Sequence, residues 1–207
     1  MNPFQVVRDF EKAMAEFTGA KYAVAVESCS MALEMCCHYV GVKDLMVTIP
    51  SRTYPSVPAA IIRAGGMVRF KDSDWQREGV YELGDTGIFD SAKRICRGCL
   101  GDNGGMYLVC LSFHARKVLP IGRGGMILTA SETAADWFRT KRHDGRHDGV
   151  ELMKDTLTGI GWNAAMTPEQ AARGLILMGN LNDINISPPQ DYPDLSKYKF
   201  FTQANRQ

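Results

Sequence analysis

No run of about 20 consecutive apolar residues occurs in the 207-residue chain, so nothing in it can form a spanning helix. An excess of one charge is missing too. Lys and Arg number 24 against 23 Asp and Glu, a formal net charge of +1, so no bulk field draws the chain to nucleic acid or to a membrane surface. The N-terminal stretch MNPFQVVRDFEKAM carries charges where a signal peptide needs an apolar core, and a cytoplasmic location is the expectation. Only Cys96 and Cys99 among the six cysteines have metal or redox spacing. No second pair supplies the other two ligands of a structural zinc site. Without a secretory signal, disulfides are not expected, and the cysteines read as small hydrophobes or loop residues. The glycine turn at Gly122-Arg123-Gly124-Gly125 lacks P-loop spacing, so it is not read as a nucleotide site.

What is present is enough apolar material for a core: 45% of residues are hydrophobic and 23% charged. Phe4, Val7, Phe10, Met14 and Phe17 recur at helical spacing before Gly19. A strand-length run follows over 22–26, then a helix over 31–40 stopped by Gly41. Residues 46–49 read as a strand, 57–64 as a helix opened by Pro55, and 67–70 as a strand. Strand, helix, strand, helix, strand is the pattern of crossovers on a mostly parallel sheet with helices on both faces, an α/β fold. Residues 71–86 are a polar loop. Strands are expected over 87–90, 106–111 and 125–129, and a helix over 132–142. Thr167, Pro168 and Gln170 form a capping-box start for a further helix to about residue 178. From Leu181 the chain is rich in Pro, Asp, Asn and Lys and reads as an extended arm, 181–207, after a 1–180 domain.

In parallel sheets, ligand sites form at the carboxyl ends of strands, and several polar residues fall there. Ser28, Cys29 and Ser30 sit between a strand and a helix, either as an anion site at the helix N-terminus or as a plain N-cap. Asp90 ends a strand within an apolar stretch and needs a hydrogen-bonding or cationic partner. A protonated pyridine nitrogen would serve, as would a cap or a salt bridge with Lys93 or Arg94. Lys117 follows the strand that ends at Leu111. It is a solvated surface charge or, in a pocket beside Arg116 and Arg123, an amine free to attack carbonyls. His143, Asp144, His147 and Asp148 invite a metal reading, but Gly145 and Gly149 argue against a rigid ligand face; a basic loop is preferred and no metal is assigned.

The order of these features resembles the DegT/StrS family of sugar aminotransferases, which use pyridoxal 5'-phosphate (PLP) and have the fold type I architecture. The resemblance is carried by residues 17–33 around Ser28-Cys29-Ser30, by Pro50-Ser51-Arg52-Thr53-Tyr54, and by Phe89-Asp90-Ser91-Ala92. It continues in Ser112-Phe113-His114-Ala115-Arg116-Lys117, in the glycine turn 122–126, and in Gly161-Trp162-Asn163 with Gln170-Ala171-Ala172.

That resemblance implies a role for each matching residue. Lys117 would hold the cofactor as a Schiff base and shuttle the proton, and Asp90 would pair with the pyridine nitrogen. Tyr54 would stack on one ring face with Ala92 behind the other. Cys29, Ser30 and Ser112 would hold the phosphate, and Asn163 would reach it from the neighbouring subunit of a homodimer with a shared active site. Lys93 stands near the ring hydroxyl, where the family often has Gln or His, and Arg123 replaces a family glutamate. Relatives are commonly close to twice as long. One shortening falls between Phe70 and Gly87, and the 27 residues after Asn180 cannot build the small C-terminal domain, which is expected to be largely absent. The function implied is transfer of an amino group from a donor such as glutamate or glutamine to a keto acceptor, a nucleotide-linked keto sugar first. A small keto acid or aldehyde is the alternative acceptor. A non-catalytic binding protein is a third reading, against which the retained Asp90 and Lys117 speak.

Overall fold

Helix α1 (Gln5–Thr18) forms because its apolar positions fall on one stripe: Val7, Phe10, Met14 and Phe17 are buried, and Gly19 ends it in a left-handed turn at φ 77°. In the computed structural model, which describes residues 4–101 and 107–202, it leads into β1 (Tyr22–Val26) and α2 (Cys29–Val40). Helix α2 is capped by the Ser28 side chain, which accepts from Met31 N, and closed by left-handed Gly41. Then come β2 (Met46–Pro50), α3 (Ser56–Arg63) and β3 (Met67–Lys71). A 3-10 turn (Trp75–Arg77) precedes β4 (Tyr81–Glu82), β5 (Ile88–Asp90) and β6 (Arg94–Cys96). The core strands β7 (Leu108–Ser112) and β8 (Gly125–Thr129) follow, with α4 (Glu132–Lys141) after them. Helix α5 (Pro168–Met178) starts at the Thr167–Gln170 capping box. Strand β9 (Ile184–Ile186) and α6 (Lys199–Thr202) complete the chain. The expected strand start at Met106, residues 1–3 of the expected domain and the last five residues of the arm lie outside the described residues.

The α/β architecture is as expected, with a mixed rather than a mostly parallel sheet. The order is β1-β8-β7-β5-β4, in which β5–β7 is parallel and the other three pairs are antiparallel. The cause is the connection: residues 113–124 join β7 to β8 without the helix that a parallel crossover requires, so β8 returns antiparallel. Strands β2 and β3 form a separate parallel pair. Among the described residues, a short backbone seam ties them to the main sheet, beside the apolar core they share with it. Gly84 N donates to Thr48 O of β2 at 2.8 Å, while Leu83 N donates to Ile88 O at 2.8 Å. The two-residue strand β4 thus fills the gap between β5 and β2.

All five residues of β7 and of β8 are buried, because helices cover both faces and alternate side chains enter opposite layers. Val24, Cys110 and Ile127 face the layer built by α2, α3 and α4. Ala25, Val109, Leu111 and Leu128 face α1 and α5. A buried ion pair locks α1 to the end of α4. Arg142 donates to Glu11 and, at 2.6 Å, to Ala25 O, while Glu11 accepts from Ala25 N at 2.8 Å.

The described residues after 181, up to 202, pack on the same chain. Strand β9 pairs antiparallel with β6, Leu195 N donates to Ser51 O at 2.8 Å, and Phe201 meets Phe70 edge-on at 6.4 Å. Cys96 and Cys99 stand as a disulfide, against the expectation of reduced loop cysteines. Left-handed Gly98 folds the chain back between them and brings their Cα atoms to 5.7 Å, within bridging range. The other four cysteines are free. Among the described residues no helix is long and apolar enough to cross a membrane, and no group of three or more His, Cys, Asp or Glu side chains is placed to hold a metal ion.

Candidate active site

Asp90 occupies the carboxyl end of β5, where the sheet buries it to 3% exposure. Neither Lys93 nor Arg94 pairs with it. Its Oδ1 accepts Ala92 N at 2.9 Å and its Oδ2 accepts the Tyr81 hydroxyl at 3.0 Å. Burial pushes the Asp90 carboxyl above the ordinary carboxylate range, against the opposing pull of the Ala92 N–H, the Tyr81 hydroxyl and the charge of Lys117. The turn after Asp90 is held by Ser91 Oγ, which donates to Arg94 O at 2.8 Å, and it sends Lys93 inward. Lys93 is fully buried, 3.1 Å from Gln76 Oε1 and 5.7 Å from the Trp75 ring centroid. Burial, and then the charge of Lys117, pull its ammonium below the ordinary lysine range.

Strand β7, the parallel neighbour of β5, delivers the second part. Ser112 is buried at its end, Phe113 anchors in the core, and Lys117 N donates to His114 O at 2.9 Å to close a turn. The half-buried Lys117 side chain lies in electrostatic reach of Asp90, Cys29 and Lys93. Cys29 stays a thiol, its pKa raised by burial, then by Asp90 and Cys110.

The third part is the first turn of α2. Cys29 and Ser30 precede the first intrahelical bond, which Ala32 N makes to Ser28 O, so the N–H groups ahead of it open toward an anion. Gly125 lets β8 begin against this turn, since a Cβ there would collide with the Cys29 nitrogen and the Ser28 carbonyl. Arg123, from the same glycine turn, pairs with Glu27 at 3.0 Å.

The structure therefore gathers Asp90, Lys93, Lys117 and Cys29, with Ser30, Ala92 and Ser112 beside them in sequence. Of the other two expected residues, Tyr54 lies in electrostatic reach of Tyr192, which also faces Asp90, and neither of the two is buried. Tyr54 is 58% exposed, and Asn163 is exposed, joined to His143 by an isolated bridge. Two cavities, of about 680 and 260 Å³, are lined by other residues. The sequence reading missed Thr53, Trp75, Gln76 and Tyr81, and it missed Gln190 and Tyr192 of the arm. Trp75 and Tyr81 in a short polar loop were the available signal, since large aromatic rings seek burial.

An α/β domain with a buried carboxylate at one strand end, and a lysine beyond the next parallel strand, defines the class of protein. A model of the DegT/DnrJ/EryC1/StrS aminotransferase family matches residues 2–78 and 89–188, and the chain belongs to that family. It is 27% identical to the spore coat polysaccharide biosynthesis protein SpsC of Bacillus subtilis (strain 168), over 86% of this chain and 57% of that protein. Among solved structures it is similar to S. venezuelae DesV in complex with a ketimine intermediate. That match has a TM-score of 0.68 and 18% identity, covering 84% of this chain and 56% of the other. It is similar also to 3-amino-5-hydroxybenzoic acid synthase, with a TM-score of 0.70 and 18% identity, covering 86% and 56%. The chain spans a little over half the length of these relatives.

Proposed function

We propose that the chain is an aminotransferase that binds PLP at Lys117 and moves an amino group from glutamate or glutamine to a keto acceptor, a nucleotide-linked keto sugar. The observation that carries the reading is the Asp90–Lys117 relationship: a buried carboxylate bonded, among the described residues, to a phenol and an amide, in electrostatic reach of a lysine beyond the neighbouring strand.

These residues fit the group. Asp90 keeps lone pairs for a cationic ring nitrogen and would hold the proton on it. The open turn of α2 with Ser30 and Cys29, and the Ser112 hydroxyl, suit a phosphate. Lys117 would be the point of covalent attachment and would carry the proton between substrate and cofactor. Tyr54 would cover one ring face, Ala92 would back the other, and Lys93 would stand by the ring hydroxyl. Bound there, PLP supplies the electron sink that amino transfer needs.

A homodimer goes with this reading. Exposed Asn163 would reach the phosphate of a second copy. Leu152, Met153, Leu157 and Ile160, all more than half exposed, would lie in the shared interface. Residues 1–180 would form the cofactor-binding unit, with 181–207 as an arm. A cytoplasmic setting goes with this reading. The match to SpsC, a polysaccharide biosynthesis protein, supports a sugar acceptor.

Added PLP should give a visible band that borohydride bleaches, and Lys117→Ala should abolish it; a colourless wild-type protein sinks the reading. Glutamate or glutamine should convert the band, and a keto sugar should restore it. No response to any keto sugar removes the acceptor. Sedimentation of the active protein as a monomer removes the shared site.

A further inference from the structure

The match to the family breaks off after Glu78 and resumes at Phe89, and Tyr81 stands in that break. It lies on β4, the two-residue strand that fills the seam between β5 and β2. A phenol has a single proton to donate, and Tyr81 gives it to Asp90 Oδ2 at 3.0 Å. The 2.6 Å contact between Tyr81 and Thr53 Oγ1 must then run the other way, with the fully buried Thr53 hydroxyl donating to the phenol oxygen. The result is a directed chain, Thr53 to Tyr81 to Asp90. The Tyr81 ring is fixed by Trp75 at 4.7 Å, which in turn stacks on Tyr192 of the arm at 6.1 Å.

We propose that Tyr81 is a positioning residue for Asp90: with Thr53 behind it, it aims the carboxylate and holds it ionised toward the cofactor ring. This rests on the PLP reading above. The Ala92 N–H fixes one carboxylate oxygen and Tyr81 the other, so loss of the phenol proton frees one side of the group. The ring contact with Trp75 would survive replacement by phenylalanine, so the hydroxyl can be tested apart from the packing. The charged and titratable groups that face Asp90 are Lys117 beyond β7, Cys110 on β7, Cys29 on α2, Tyr81 on β4 and Tyr192 on the arm. Apart from the Tyr81 hydroxyl that is removed, all stay in place in the variants below.

The test is a PLP titration from pH 5 to 9, followed by the borohydride-bleachable band and by quenching of tryptophan fluorescence. A charged hydrogen bond of ordinary strength corresponds to roughly a tenfold effect. Tyr81→Phe should loosen PLP by roughly that factor near the wild-type acid midpoint, and should move that midpoint to higher pH. Thr53→Val should shift it the same way by less, and Thr53→Ser should restore the wild-type curve. A wild-type protein without the band defeats the PLP reading itself. A wild-type band together with an unmoved midpoint in Tyr81→Phe overturns the positioning role alone. If Tyr81→Phe does not fold, Thr53→Val against Thr53→Ser decides: identical midpoints overturn the proposal, and a rescued shift upholds it.

Discussion

The buried ammonium of Lys93 and the amide oxygen of Gln76 lie 3.1 Å apart, and that same oxygen accepts the backbone N–H of Gln190 at 2.8 Å. One side-chain amide thus joins the turn after Asp90, the segment before β4 and the C-terminal arm. Gln76 Nε2 closes the link by donating to Gln190 O at 2.9 Å.

Lys93→Met should stabilise the cofactor-free chain at neutral pH by about 1–3 kcal/mol, since a buried ion is often replaced by an apolar side chain without loss. The Gln76 oxygen keeps its Gln190 donor, so no acceptor is orphaned. The sign with pH follows from the lowered Lys93 value. The unfolded chain binds the proton more tightly, so wild-type stability rises with pH up to the unfolded lysine range near 10.4. Thermal melts should therefore show the variant's advantage shrinking from pH 7 toward pH 10.5. A constant difference would count against a charged Lys93.

Asp90→Asn should separate stability from cofactor binding. Because the folded-state carboxyl is raised, the folded chain holds its proton to higher pH than the unfolded chain, whose value is about 3.9. Wild-type stability is then lost as pH rises through that window. The variant should melt no lower than wild type at pH 7 while binding PLP at least tenfold more weakly, a charge-assisted contact being involved. A less stable variant with unchanged PLP affinity would contradict both expectations.

Removing Arg142 should cost about 3–5 kcal/mol, because it leaves the buried Glu11 carboxylate uncompensated, whereas removing Glu11 should cost less, since Arg142 keeps Asp148 at 3.7 Å. Glu11→Met with Arg142→Met should lose less than the sum of the single changes. Urea unfolding of the four proteins measures that coupling, and strict additivity would rule it out.

Thiol counting separates the two cysteine classes. In denaturant without reductant, four thiols should react, those of Cys29, Cys36, Cys37 and Cys110; after reduction, all six should. Six before reduction would mean that Cys96 and Cys99 are not bridged. In the folded protein none of the four should react promptly: Cys36, Cys37 and Cys110 are buried, and burial holds Cys29 as a thiol.

The long elements were legible because each carries its own stop signs. Gly19 and Gly41 end helices in left-handed turns, and the Thr167–Gln170 box starts one. Asp90 and Lys117 were legible as polar residues just past apolar strands. Strands β6 and β9 were not. Each has three residues, too few for alternation to show, and their pairing joins positions about 90 apart, Ile95 with Asn185. Gln76 and Tyr81 were hidden for a related reason. They lie in a segment without periodicity, and their importance comes from Lys93 and Asp90, which the fold brings to them. The antiparallel return of β8 follows from the missing helix between residues 113 and 124, a negative signal that strand-by-strand reading passes over.

The seam at Gly84 and Thr48 has a consequence for cooperativity. Strands β2 and β3 meet the main sheet through few backbone bonds, so their amides should exchange with solvent through an opening of lower free energy than those of β7 and β8. Thr53 and Tyr54 ride on the looser side of that seam, Asp90 and Lys117 on the firmer one. A ligand that engages both sides favours the closed form over the open one. Its binding should therefore slow hydrogen exchange in β2 and β3 most, in strands whose own backbone it need not touch.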